Sequence, residues 1–186
     1  MSKPTSLLVL GLGNLLLEDD GVGSSAVALL NARYVAPAGA RVFDGGTLGL
    51  ALLPYLEDAD AVILVDAVRT DAAPGTLVRL DGDEVPPAVA TRLSPHQVGV
   101  ADLLDGARWL GRYPRRLVLV GLVPASMELA VELSAAVAPA LPDLVERIVA
   151  EAHALGFDFR HRTADDTDSE PRLAADIARP VWMHGR

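Results

Sequence analysis

No cysteine occurs anywhere in the 186 residues. That absence removes disulfides, thiolate zinc sites and cysteine nucleophiles together, and it is compatible with a reducing compartment. Any metal must be held by oxygen and imidazole. Long apolar runs are missing too: none reaches the ~20 residues that a membrane span requires. The N-terminus also lacks the basic region, apolar stretch and small-residue cleavage site of a secretory signal. No membrane insertion is expected, and a soluble cytoplasmic protein is. Positive charge is scarce, with 16 Lys and Arg against 25 Asp and Glu and a net charge of −9. Anion repulsion opposes the phosphate contacts on which nucleic-acid binding depends, so no nucleic-acid partner is expected. There is no internal repeat.

What is present is a chain that is 51% hydrophobic, enough to bury one substantial core in one domain. Residues 6–12 (SLLVLGL) have the length of a buried strand ended by Gly13 and Asn14, and 22–34 carry helix-compatible spacing. A second strand runs from Ala40 to Asp44 and stops at Gly45-Gly46. Leu48, Leu52, Leu53 and Leu56 then suggest a helical face, in which Pro54 warns against continuity. AVILVD (61–66) is the clearest strand, apolar and β-branched up to its last residue, as a central strand covered on both faces should be. After Pro74-Gly75, TLVRL (76–80) reads as an edge strand, and DGDEVPP (81–87) as loop.

Ser94-Pro95-His96-Gln97 superimposes three helix-start signals: a serine N-cap, proline at the first helical position and a glutamine that completes a capping box. That helix should run to about Leu110, and RLVLVGL (116–122) should be a further central strand. A last helix follows Ser134 and reaches Leu155 before Gly156, its regular part delayed by Pro139 and Pro142. The alternation predicts an α/β fold: a three-layer sandwich with a twisted, mostly parallel sheet of about five strands flanked by helices. Residues 1–157 form the domain. Residues 158–186 are polar and lose periodicity, and are expected to be a flexible C-terminal tail.

In such folds sites gather beyond the carboxyl ends of the strands, and three acidic positions fall there. GLGNLLLEDDGVG (11–23) looks at first like a nucleotide loop, but Leu16 stands where a third small residue is needed, and Glu18, Asp19 and Asp20 would repel a pyrophosphate. Glu18 and Asp19 are adequately explained as solvated acids that complement a helix dipole. Asp20 stays a candidate. Asp66 ends an apolar strand, either as an Asx-turn cap or as a ligand or acid/base group. Asp44, in Asp-Gly-Gly, is equally compatible with plain turn chemistry. His96 in a helix's first turn is either a surface residue or a neutral imidazole aimed by its helix, with a lone pair for metal. His153 reads as helix surface and His161 as tail. Together Asp20, Asp66 and His96 offer two carboxylates and an imidazole, a donor set suited to zinc, nickel or iron with coordination positions left open.

Several ordered segments carry a resemblance: LVLGLGNLLLEDDGVG (8–23), DGGT (44–47), ILVDAV (63–68), PGTLVRL (74–80), SPHQVGVADLL (94–104) and LVLVGLVP (117–124). Over about residues 6–156 the chain resembles the hydrogenase maturation proteases, which process the large subunit of nickel-iron hydrogenases. The resemblance implies an endopeptidase whose essential side chains are aspartates, with Asp20, Asp66 and His96 binding metal and Asp44 supporting cleavage. The implied metal is nickel, supplied by the substrate, which zinc or cadmium would replace in a purified protein. The implied partner is the precursor of the large subunit, from which a C-terminal extension is removed. A monomer is expected. Rival readings are a non-enzymatic nickel-binding assembly factor and an independent zinc hydrolase acting on small peptides, with dinucleotide binding the weakest.

Overall fold

The computed structural model describes residues 5–90 and 95–166, the side chains of 90 and 95–98 excepted. In chain order the elements are β1 (Leu7–Leu12), α1 (Val22–Arg33), β2 (Tyr34–Val35), β3 (Ala40–Gly46), α2 (Leu53–Glu57), β4 (Ala61–Ala67), β5 (Leu77–Asp81), α3 (Val85–Ala90), α4 (Pro95–Trp109), β6 (Arg116–Leu122), α5 (Leu141–Leu155) and β7 (Arg160–His161). Five strands form one sheet in the order β3-β1-β4-β6-β5. The first four are parallel, and β5 pairs antiparallel with β6 at the edge. This is the expected sandwich, mostly parallel and flanked by helices on both faces.

Strand alternation builds two cores from one sheet. Leu7, Val9, Ile63, Val65, Val118 and Val120 face α1 and α5, where Val22, Ala26, Leu30, Leu144 and Ile148 meet them. Leu8, Leu10, Val62, Leu64, Leu117 and Leu119 face the other way, toward Leu56 of α2, Val89 of α3, and Val100, Leu103 and Leu104 of α4. The central strands β1 and β4 are buried along their whole length, which is why they read as unbroken apolar runs.

Helix α1 lies unusually close to the sheet because Gly11 and Gly23 meet. A Cβ on Gly23 would sit 2.2 Å from the carbonyl oxygens of both Leu12 and Val65. One residue thus packs against the ends of β1 and β4 at once, and only glycine fits. Pro54 occupies the first turn of α2, where its missing N–H costs nothing. It starts the helix and does not break it. Helix α5 ends at Gly156 in the left-handed region (φ 94°), with Gly156 N–H donating to His153 O and Phe157 N–H to Ala152 O. Both bonds are those of a Schellman motif.

Two expectations need correction. Residues 81–87, read as loop, are a helical entry: Asp81 and Glu84 form a reciprocal capping box around a short 3-10 turn, and α3 follows with Pro86 and Pro87 in its first turn. The paired acids, not the prolines, decide the conformation. The stretch from 158, read as the start of a mobile tail, is ordered as far as 166. Here β7 pairs antiparallel with β2, Arg162 N–H donates to Arg33 O at 2.7 Å, and the His161 ring packs 4.4 Å from that of Tyr34. Polar composition hid a segment held by backbone bonds. Residues 167–186 lie outside the described residues.

At the amino edge of the sheet, Asp60 accepts hydrogen bonds from the Thr5 backbone and hydroxyl and from Arg115 at 2.8 Å. These bonds, Thr5 first, lower its carboxyl to about 2. A lowered carboxyl stabilises the fold above its ordinary value near ~4 and loses that contribution as pH falls through the folded value. The Asp60 side-chain resonance is therefore expected to titrate near pH 2 by NMR, and an ordinary midpoint near ~4 would contradict the tether. Gly23→Ala should cost about 3 kcal/mol, because backbone on both sides leaves nowhere to relax. In thermal unfolding that is a drop of roughly 6–12 °C, and an unchanged midpoint would show that α1 can shift.

Candidate active site

The carboxyl edge of the sheet collects the loops after β1, β3, β4 and β6. Asp20 lies in a 3-10 turn, Glu18–Gly21, that enters α1. Its side chain is fully buried, and Oδ2 accepts the Asn14 N–H at 2.9 Å. The turn is tight because Gly13 has φ +122°, and a Cβ there would overlap the Asp20 carbonyl. Gly13 also donates to Gly46 O at 3.1 Å, tying the β1 loop to the end of β3.

Asp66 is the penultimate residue of β4, 1% exposed, with Oδ1 accepting the Ala67 N–H at 2.7 Å. Its register partner on β6 is Gly121, whose would-be Cβ lies 1.9 Å from Asp66 O. Alternation puts Asp66 on the same face as Val62 and Leu64, the face covered by α4. Asp20 and Asp66 therefore stand beyond and at the ends of adjacent parallel strands.

Asp44, by contrast, is exposed and lies on the α1 side of the sheet. Its Oδ1 accepts the Ser24 hydroxyl at 2.6 Å and the Gly46 N–H at 3.1 Å. The bond to Gly46 is the turn chemistry expected of Asp-Gly-Gly, and the bond from Ser24 ties the same oxygen to α1. The backbone of His96 is in the first turn of α4, as expected. A Cβ on Gly99 would lie 2.9 Å from Gly49 Cα, so the start of α4 packs on the segment just after β3, at the edge where the aspartates gather. The side chain of His96 and all of Ser94 lie outside the described residues. Among the described residues no three His, Asp or Glu side chains form a metal-holding group.

Asp19 overturns its sequence reading. It is fully buried, not a solvated dipole partner. Its Oδ1 accepts the Ser134 N–H at 2.8 Å, while Oδ2 accepts Ala125 N–H at 2.8 Å, Ser126 N–H at 3.2 Å and the Ser134 hydroxyl at 2.8 Å. The donors come from over a hundred residues downstream, so no local signal could have found them. Beside it, Glu18 N–H donates to Ala130 O and Ala130 N–H to Leu16 O. The two loops are fastened together. Of the remaining histidines, His153 is exposed and meets Asp158 at 2.6 Å, in keeping with a helix-surface residue.

Buried carboxylates at the carboxyl ends of neighbouring strands, in a three-layer α/β sandwich, mark the edge at which proteins of this class gather their functional sites. Comparison with known proteins gives the particular family. The profile of the hydrogenase maturation protease family matches residues 25–151. The chain is 37% identical to the hydrogenase 2 maturation protease of Escherichia coli over 159 residues, covering 85% of this chain and 97% of that one. It is 38% identical to the hydrogenase expression/formation protein HupD of Rhodobacter capsulatus over 189 residues, 99% of this chain and 87% of that protein. Among solved structures, the hydrogenase maturating endopeptidase HybD from E. coli superposes with a TM-score of 0.81 at 37% identity, covering 84% of this chain and 98% of that chain. The [NiFe] hydrogenase maturation protease HybD from Thermococcus kodakarensis gives 0.65 at 27% identity, over 79% and 99%. The chain belongs to the hydrogenase maturation protease family, and is a peptide-bond hydrolase.

The Asp19 contacts predict a graded loss. Asp19→Ala leaves three backbone donors and a hydroxyl without their acceptor and should cost about 3 kcal/mol or more in urea unfolding, whereas Ser134→Ala should cost about 1 kcal/mol. Equal effects would mean that the loop is held by something other than this carboxylate.

Proposed function

We propose that this protein removes a C-terminal extension from the nickel-loaded precursor of the nickel-iron hydrogenase large subunit, with the substrate's nickel engaged by Asp20, Asp66 and His96. The observation that carries this reading is the pair of buried carboxylates, Asp20 and Asp66, at the ends of adjacent strands β1 and β4 in a chain of this family. Two carboxylates and an imidazole supply oxygen and nitrogen donors while leaving coordination positions for groups of the precursor. In isolated protein zinc or cadmium would take the same donors. Because the metal arrives with the substrate, an unloaded precursor lacks the anchor that positions its scissile bond, and cleavage follows metal insertion. No helix among the described residues is long and apolar enough to cross a membrane. The protein is proposed to meet its client as a cytoplasmic monomer.

Two routes can activate the attacking water. Nickel can polarise it directly, or Asp44 or Asp20 can take its proton. Asp44 is the better placed base of the two for an incoming peptide, since it is exposed and its Oδ1 is oriented by Ser24 and Gly46. Asp44→Asn separates the routes: nickel-dependent binding without cleavage assigns the base to Asp44, while cleavage at the wild-type rate assigns activation elsewhere.

The decisive test is incubation of purified protein with nickel-loaded and nickel-free precursor, read by intact-mass spectrometry. Loss of a C-terminal fragment only with nickel is expected. Asp66→Ala and His96→Ala should slow processing by more than about 100-fold, since even outer-shell changes at metal sites cost ~10–100-fold. Nickel-dependent complex formation without cleavage would instead favour a non-enzymatic assembly factor, and turnover of generic peptides with bound zinc an independent zinc hydrolase.

A further inference from the structure

Beyond Asp66 the chain leaves β4 and reaches Arg69, while β6 leaves through Val123 into Pro124–Met127. Between these exits lies a cavity of about 330 Å³ lined by Arg69, Thr70, Val123, Pro124, Ser126 and Met127, among others. That volume is at the lower end of the ~300–1,000 Å³ typical of ligand pockets, enough for a residue or two of a peptide.

The cation in it differs from several arginines of this acidic chain. Arg79, Arg115, Arg147 and Arg160 each meet a carboxylate, while Arg41 and Arg162 meet backbone carbonyls and Arg108 an aromatic ring. Arg69 is exposed, and among the described residues its hydrogen-bond acceptor is the Met127 sulfur at 3.3 Å. A thioether is a weak acceptor, and the guanidinium on the cavity wall carries five donors in a fork shaped for carboxylate. The opposite wall is rigid, because Asp19 holds the N–H groups of Ala125 and Ser126. The turn that carries Asp20 therefore also shapes this cavity. Arg69 lies three positions beyond Asp66, at most ~10 Å of extended chain, which is the reach of two or three residues of a bound peptide.

We propose that Arg69 is a specificity-determining residue that binds a carboxylate of the substrate peptide in this cavity, fixing the register of the chain across Asp20 and Asp66. The proposal rests on the peptide-processing reading of the neighbouring site. Among the described residues that line the cavity Arg69 is the one charged side chain, so it offers a substrate carboxylate one favourable position. The carboxylate is either the peptide's own C-terminus or an Asp or Glu side chain within the extension.

The test uses the full chain with two readouts. In processing of nickel-loaded precursor, Arg69→Glu should raise KM by about 10–100-fold, the worth of a charge-assisted hydrogen bond, with kcat within about twofold. Arg69→Lys should recover part of the loss. The wild-type KM should rise with salt and that of Arg69→Gln should not. Independently, a synthetic peptide spanning the cleavage region and extension should bind wild type more tightly than Arg69→Glu in fluorescence anisotropy. Amidation of its C-terminus, or Glu→Gln and Asp→Asn changes within it, should abolish that difference and so identify the carboxylate. If the precursor is not cleaved but the peptide still discriminates, the processing reading fails and Arg69 stands. Equal KM values, equal peptide affinities, or no peptide binding to wild type overturn the proposal.

Discussion

A carboxylate removed from water is costly unless its oxygens are met by donors, and Asp19 meets that condition through four hydrogen bonds from residues 125–134. Strands β1 and β6 are not neighbours in the sheet, since β4 lies between them. When the loop after β1 is fastened to the loop after β6, the two arch across the end of β4. That is where Asp66 sits, 1% exposed. The clamp thus accounts for the burial of Asp66, for the orientation of the turn that carries Asp20, and for the fixed wall of the Arg69 cavity. Asp60 does the corresponding work at the opposite edge, joining the starts of β1, β4 and β6 through Thr5 and Arg115. Between these two carboxylates the parallel strands have little freedom to slide.

Glycines complete the constraint by letting backbone approach backbone. Gly23 brings α1 onto the carbonyls of Leu12 and Val65, and Gly121 makes room for the backbone at Asp66. A side chain at either position would lift a helix or strand away from the edge and misplace a carboxylate by an ångström or more. In a site that works by positioning, displacement of that size is large compared with the tolerance of ~0.5 Å that such constellations require.

The sheet was legible because its strands are covered on both faces, and burial on both faces writes itself into sequence as an unbroken apolar run. LLVLGL, AVILVD and RLVLVGL admit little else. Asp66 stood out because a carboxylate at the end of such a run contradicts its surroundings, and Asp20 because a glycine-bounded loop places it above the sheet's edge; the structure adds that both are buried there. What escaped depends on contacts distant in sequence or on backbone alone. Asp19 looks like its neighbour Glu18 in every local respect, and its donors are more than a hundred positions away. Residues 160–161 are polar, yet their order comes from pairing with Tyr34 and Val35, which composition does not report. The helix at 85–90 was hidden by Pro86 and Pro87, whose breaking effect is absent in a first turn. Arg69 gave no signal at all, since an arginine after a strand is ordinary until the cavity beside it is seen.

The burial of Asp20 and Asp66 bears on how the proposed chemistry would be ordered in time. A carboxylate that has already lost its water presents a fixed, partly desolvated face to an incoming metal, and it need not reorganise when the metal arrives. The same burial restricts who can arrive: a free hydrated cation must shed its shell to enter, whereas a metal held in a folded precursor comes already stripped on several sides. On this view the closed edge is a filter for metal presented by a protein surface. Asp44, exposed on the α1 side and held by Ser24, then stands where water still has access. If the proposed roles hold, a buried pair for the metal and an exposed carboxylate for water would divide recognition from hydrolysis along one edge of the sheet.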